Sequence, residues 1–396
     1  MDDHAIPNQP NVTLARIVIA LAVCVLLSAV VVAYLLLRPV DGAQGTQQIA
    51  YVAVGTDGNL DLFLSDAAGR RITQLTKTTD DELYPAWSPD GKMLAYMRMP
   101  LRLYRGTAST PDTGTYLMTF EGGAPKEQEL LPASRGGMGE PSWSPDGKRV
   151  AYLSPVIPLR EGGYATGTLT VVNLSPRAAE TIPVTVPVGI LDPSVSWSPD
   201  GGAVAFIAPT SVITVAAGRY PDIPEDIPSA AWVYNLTERA LSMAAKGATM
   251  VQWSPAGDWL AYANTRNANG VHLIRPDGTG GRALLDRGYA SGLAWSPDGS
   301  RLAACGWVES EDRSGVTIFS LDDGSMTSFA LGDRDHLPQF LSWSPDGTYI
   351  SVSLFSDSGG MMPDGSLWIV DAKNGAAFAF PDNPGMEALA VWRPVK

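Results

Sequence analysis

Residues 87–91 read WSPDG, the same five letters return at 143, 197, 295 and 343, and a near-copy, WSPAG, stands at 253. In Ser88-Pro89-Asp90-Gly91 the proline presets φ at the second position of a type I turn. The aspartate tolerates the third position, and the glycine accepts the left-handed conformation that closes the turn. The residues after each copy alternate in polarity as a strand does: KMLAYM at 92–97, KRVAYL at 148–153, GAVAFI at 202–207, DWLAYA at 258–263. Those before it are short and apolar, as in YPAW, SVSW, MVQW, GLAW and FLSW. Each copy therefore predicts a hairpin of short strand, tight turn and second strand.

A third strand is predicted in each period: TYLMTF 115–120, LTVVNL 169–174, AWVYNL 231–236, VHLIRP 271–276, VTIFSL 316–321 and LWIVDA 367–372, each followed by a polar turn and a weaker fourth strand. Four strands per repeat is the unit of a β-propeller blade. The tryptophans stand 56, 54, 56, 42 and 48 residues apart, at or above the roughly 40–50 of propeller repeats. The excess predicts loops inserted in some blades. The chain ends EALAVWRPVK, with Trp392 where a further repeat is due but only its inner strand present. Its start has the opposite defect: IAYVAV 49–54, DLFLSD 61–66 and RITQLT 71–76 have no WSPDG before them. Joined, the two fragments make one blade and remove the open sheet edges. The expectation is an all-β, seven-bladed propeller closed by the C-terminal strand pairing with the N-terminal strands, with six blades as the alternative.

The pattern W-S-P-D-G-K-x-[LV]-A-Y resembles the PD40 (WD40-like) repeat of TolB-type propellers, over about residues 47–396. The resemblance implies an extracytoplasmic propeller. The chain departs from TolB in carrying a membrane segment where that family has a separate α/β domain. Prolyl oligopeptidase-like enzymes also carry propellers, and their additional hydrolase domain is not expected here.

Residues 17–37, IVIALAVCVLLSAVVVAYLLL, are 21 residues without a charge between Arg16 and Arg38. At about 1.5 Å per residue such a helix spans roughly 30 Å, a bilayer core. The uncharged run is longer than a signal peptide's usual apolar region, which predicts an uncleaved transmembrane helix. Residues 1–16 are then a short cytoplasmic tail, 38–48 a linker, and 49–396 the propeller, outside the cytoplasm. Arg16 and Arg38 balance, so flanking charge does not orient the span; the resemblance does. Cys305 is the single cysteine outside this span, which excludes an internal disulfide there, and its strand RLAAC predicts a buried thiol.

The net charge of −13 argues against a nucleic-acid binder, which needs a basic patch. The tryptophans Trp87, Trp143, Trp197, Trp253, Trp295, Trp343 and Trp392 read as packing residues of the repeat. Blade five keeps its pattern with Ala256 in place of Asp. Catalytic chemistry has little to stand on. His4, His272 and His336 are the three histidines, too few and too scattered for a metal-dependent lyase site. No GxSxG occurs. Asp333, Asp335 and His336 make at most a loop cation site. No cofactor is implied.

The function expected is therefore binding, without catalysis, of a protein, peptide or envelope glycan. The alternative is a hydrolase or lyase with its site in the central funnel. The insertions in blades two, three and four fall in neighbouring blades and predict one raised lobe. Each offers an Arg and a Tyr: Tyr104 and Arg105, Arg160 and Tyr164, Arg219 and Tyr220. Both types are enriched in interface hot spots. Glu387, Glu82 and Asp192, five residues before a tryptophan, and Glu140, three before, predict an acidic rim for a positively charged partner.

Overall fold

A computed structural model describes residues 47–100, 112–121, 124–135, 139–155, 163–164, 167–184, 195–210, 214–215, 229–263, 270–288, 290–308, 313–331, 336–356, 365–380 and 387–395. The chain divides into two compact units, Met1–Gly45 and Thr46–Lys396. The expected tail, transmembrane segment and most of the linker lie outside the described residues. Among those described, no helix is long and apolar enough to cross a membrane.

The second unit is a seven-bladed propeller: seven four-stranded antiparallel sheets follow one another among the described residues. From the inner strand outward, blade two holds Asp80–Trp87, Met93–Pro100, Asp112–Thr119 and Lys126–Arg135. The inner strands of blades three to seven are Ser142–Trp143, Val195–Trp197, Met250–Trp253, Ala290–Trp295 and His336–Trp343, and each packs on the next. In blade one the inner strand is the C-terminal Glu387–Trp392, followed outward by Gln48–Val54, Leu60–Asp66 and Thr73–Gln74. The seven-bladed expectation and its closure hold, and the six-bladed alternative does not. The outermost strand of blade one is shorter than the predicted 71–76.

The repeated pentapeptide explains the repetition. In each copy the glycine lies at positive φ, from 66° at Gly147 to 85° at Gly257. Its N–H closes the turn on the serine carbonyl, as from Gly91 to Ser88 at 2.8 Å. The serine is buried. Ser88 Oγ donates to Asp90 at 2.7 Å and accepts the Met93 N–H at 2.9 Å, so turn and second strand are pinned together. In blade five, where Ala256 replaces the aspartate, Ser254 donates instead to Asp258 at 3.0 Å.

Tryptophan carries the repeat sideways. In five of the seven blades the indole N–H donates to the inner strand of the preceding blade: Trp143 to the Ala86 carbonyl at 2.9 Å, Trp197 to Ser142 at 3.1 Å, Trp295 to Gln252 at 3.3 Å, Trp343 to Ala294 at 2.9 Å and Trp392 to Ser342 at 3.1 Å. Trp253 donates within its own blade, to the Gly257 carbonyl at 3.1 Å, and the buried Trp87 indole N–H has no hydrogen-bond partner.

A second latch runs the other way. Arg149 lies over the Trp197 ring at 4.8 Å and donates to the Gly201 carbonyl at 2.8 Å; Arg301 does the same to Trp343 (4.6 Å) and Gly347 (2.7 Å). Arg393 repeats it across the closure, 4.8 Å from Trp87 and bonded to the Gly91 carbonyl at 2.7 Å. Gly91 is required there, since a Cβ would fall 2.5 Å from the Pro394 carbonyl oxygen.

Candidate functional site

The inner strands converge on the propeller axis, and one position of the repeat faces it. Three residues before the inner tryptophan stand Leu389, Tyr84, Glu140, Met250, Gly292 and Phe340 in blades one, two, three, five, six and seven. All six line a single axial cavity of about 100 Å³, where Gln252 and Ser291 add an amide and a hydroxyl. Glu140 is the one lining residue with a formal charge among those described. Tyr84 and Phe340 meet edge to face with centroids 6.4 Å apart, and Phe340 rests on Phe355 at 5.9 Å. The matching residue of blade four lies outside the described residues.

The backbone at this position is unusual. Tyr84, Phe340 and Leu389 are non-glycine residues at φ of 53°, 46° and 53°. They sit at bulges, where the register slips between Leu83 and Ala86, between Gln339 and Leu341, and between Ala388 and Val391. A left-handed non-glycine residue costs of order 1–3 kcal/mol and persists where its surroundings fix it. Neighbouring hydroxyls supply that fixing: Ser353 Oγ accepts the Leu389 N–H at 3.1 Å, and Ser291 donates to the Pro338 carbonyl at 2.5 Å. Three adjacent blades thus hold side chains at the lumen in a conformation the chain would otherwise avoid.

Where blades one and two meet, acids are buried. Glu82, Asp81 and Asp61 are each 0% exposed. Glu82 Oε1 accepts from Thr78 Oγ1 at 2.7 Å and from Arg98 Nε at 2.7 Å. Asp61 accepts from Gln74 at 2.9 Å and Thr76 at 3.2 Å, and Asp81 accepts the Leu60 N–H at 2.9 Å. Asp81 Oδ2 and Glu82 Oε2 are buried without a hydrogen-bond partner. Burial, then the Glu82 carboxylate, then Asp57, push the Asp61 carboxyl up to about 6, and burial raises Asp81 as well.

This corrects the acidic rim at one point: Glu82 is an interior ion-pair partner of Arg98 and meets no solvent. Reversing its charge would place two cations together in the interior, a test of folding rather than of binding. Glu140 is partly exposed and reaches the axial cavity. Glu387 sits in the blade-one inner strand, paired with Ala53, but its side chain is outside the description. Asp192, Tyr104, Arg105, Arg160, Arg219 and Tyr220 lie outside the described residues, as do Asp333 and Asp335. Tyr164 is described in backbone only. There Gly163–Tyr164 pairs with Thr214–Val215, joining the insertions of blades three and four.

His272 stacks on Tyr262 at 5.1 Å. Among the described residues no group of three or more His, Cys, Asp and Glu is placed to hold a metal ion. Cys305 is buried, and that burial pushes its thiol up to about 12. Sequence reading missed the lumen position and the arginine latch. The signal for the latch was an Arg just after the turn in KRVAYL and SRLAAC and beside the last tryptophan in VWRPVK.

No family model matches the chain. A stretch of 116 residues, 29% of the chain, is 30% identical to the Tol-Pal system protein TolB of Alcanivorax borkumensis and spans 24% of that relative's length. The solved structure of TolB from Acinetobacter baumannii shares the fold, with a TM-score of 0.52 at 18% identity over 88% of this chain and 67% of that one. The second unit is a TolB-like β-propeller. Enzymes share the architecture too. Oligogalacturonate lyase of Vibrio parahaemolyticus gives a TM-score of 0.53 at 13% identity, covering 85% of each chain. A puromycin-hydrolyzing peptidase of Mycobacterium tuberculosis gives 0.57 at 15% identity, covering 86% of this chain and 54% of that one. At such identities the likeness of the TolB-like propeller to these structures is one of fold.

Proposed function

We propose that the chain is a membrane-anchored, extracytoplasmic TolB-like propeller that binds a protein or peptide partner at its axial mouth, without catalysis. The observation that carries this reading is the axial cavity. At about 100 Å³ it has room for one side chain, whereas pockets that enclose small-molecule ligands run to about 300–1,000 Å³. Its wall offers polar and apolar surface in about equal measure, and three of its residues are held by strained backbone, the character of a socket. The lobe expected from Tyr104, Arg105, Arg160, Tyr164, Arg219 and Tyr220 would surround the same partner on the face of the inserted loops. Binding of an envelope glycan is the other form of this reading.

Two results are expected. The full-length tagged chain partitions with membranes at its full mass, as an uncleaved 17–37 helix requires; a soluble form beginning near Ala43 or Gln44 would exclude the anchor. Cross-linking in intact envelopes traps a stoichiometric protein partner, and Met250→Trp, which plugs the cavity, removes it while the melting curve is unchanged. The reading favoured by the lyase and peptidase likenesses, a hydrolase or lyase in the funnel, gives a different result. There the purified chain turns over a glycan or peptide substrate, with or without divalent metal, and Met250→Trp abolishes turnover.

A further inference from the structure

We propose that the propeller ring opens at the seam between blades four and five, which parts while the other seams hold. This concerns the ring itself and stands whether or not a partner enters the axial cavity. Among the described residues, this seam alone of the seven has neither an indole bond to the preceding blade nor an arginine latch. The Trp253 indole turns back into its own blade, to the Gly257 carbonyl at 3.1 Å. In other blades the matching carbonyl receives the latch, Gly201 from Arg149 and Gly347 from Arg301. Each of those arginines stands six residues after its blade's tryptophan, and in blade four that position is Ala203. The inner strands keep one bond across the seam, from the Trp253 N–H to Ser196 Oγ at 2.8 Å.

Packing follows the same trend. Blade four meets blade five largely through Ala203, Ala205, Ala231, Ala244 and Ala245, side chains too small to make many dispersion contacts. Around the seam of blades two and three, by contrast, Leu94, Met97 and Leu117 share a cluster with Trp143 and Tyr152. Trp253 is partly exposed, whereas the other six inner-strand tryptophans are buried. Blade five is also short. Its strands Met250–Trp253, Leu260–Ala263, Val271–Ile274 and Arg282–Leu285 are four residues each. In blade six the second and third strands run to eight, Arg301–Val308 and Arg313–Ser320. A short blade offers its neighbour less face to hold.

The joint where the chain's two ends meet is held better. Arg393 latches blade one to blade two, and Trp392 bonds it to blade seven. Opening at blade five has a consequence for the axis. Its inner strand supplies Met250, Val251 and Gln252 to the cavity wall, so parting from blade four widens the cavity on that side.

The repeat supplies matched reporters. Ala151, Ala205 and Ala303 each stand eight residues after a tryptophan and have no exposed surface. They pack in the seams of blades three and four, four and five, and six and seven. The test places one cysteine at a time, Ala151→Cys, Ala205→Cys or Ala303→Cys, in the detergent-solubilised full chain. Thiol labelling under native conditions is followed by peptide mass, which separates the new thiol from Cys24 and Cys305. Ala205→Cys is expected to label about ten-fold faster than the other two or more, because local opening exposes it without global unfolding. Ser196→Ala should speed labelling at Ala205→Cys further and leave Ala151→Cys unchanged. Should Ala205→Cys not fold, Ala231→Cys, buried in the same seam, takes its place. Equal rates at the three seams, or slower labelling at the seam of blades four and five, overturn the proposal. So does a rate there that Ser196→Ala leaves unmoved.

Discussion

Deleting residues 386–396 is expected to abolish the folded propeller. The deleted segment supplies the whole inner strand of blade one, paired to Gln48–Val54 through Ile49–Trp392 and Ala50–Val391. It takes away buried Leu389 and Trp392, whose large-to-small replacement alone would cost about 2–5 and 3–5 kcal/mol. That sum already rivals the roughly 5–15 kcal/mol of a typical folded domain. The deletion also removes Arg393, which bonds Gly91 of blade two, and the Trp392 indole bond to Ser342 of blade seven, so the ring opens on both sides. The Gln48–Val54 strand becomes a bare edge, a template for aggregation. Size-exclusion chromatography and thermal circular dichroism should show aggregate and no cooperative melt. A permutant of Thr46–Lys396 with 386–396 moved directly ahead of Gln47 should melt like the parent, because Trp392 and Ile49 already face each other as across a hairpin. A truncated chain as stable as the parent would refute closure by this strand.

The second large effect concerns pH. The Asp61 carboxyl is raised from 3.8 to about 6, by burial first and then by Glu82 and Asp57. A raised folded-state value means that the native protein binds the proton more tightly than the unfolded chain does. The stabilisation is complete below about pH 4 and is lost as pH rises through about 6. Asp81, also raised by burial, acts in the same direction. Asp61→Asn keeps an oxygen for Thr76 or Gln74 but cannot ionise. It should match the parent near pH 4 and exceed it at pH 8 by about 2–3 kcal/mol, since each tenfold change in proton affinity is worth about 1.4 kcal/mol. Denaturant unfolding at several pH values measures the difference. A difference that stays flat from pH 4 to pH 8 would remove Asp61 as the titrating group.

What could be read from the sequence follows from how local each cause is. Proline, aspartate and glycine fix a turn within five residues, so WSPDG exposes the hairpin, and its recurrence exposes the blade. Closure was legible because the halves of blade one are incomplete in complementary ways. The lumen was not legible, because Tyr84, Phe340 and Leu389 become neighbours only once the ring closes, and their left-handed backbone arises from bulges that no residue type announces. Glu82 was misjudged because a carboxylate is usually wet. Its neutralising partner, Arg98, is 16 residues away and meets it only through strand pairing. The lone charge in AYMRMP, on a strand otherwise apolar, was the available hint.

The hoop and the lumen draw on different columns of the same repeat. Tryptophan and arginine bind blade to blade, while the residue three places before the tryptophan in the six described blades looks inward and holds none of those bonds. The axis can therefore be rekeyed one blade at a time. Exchanging Glu140 or Met250 alters what the socket accepts, yet leaves the indole bond of Trp143 to Ala86 and the guanidinium bond of Arg301 to Gly347 untouched. Blades behave like the tumblers of a lock, each carrying one pin in a barrel whose strength lies elsewhere.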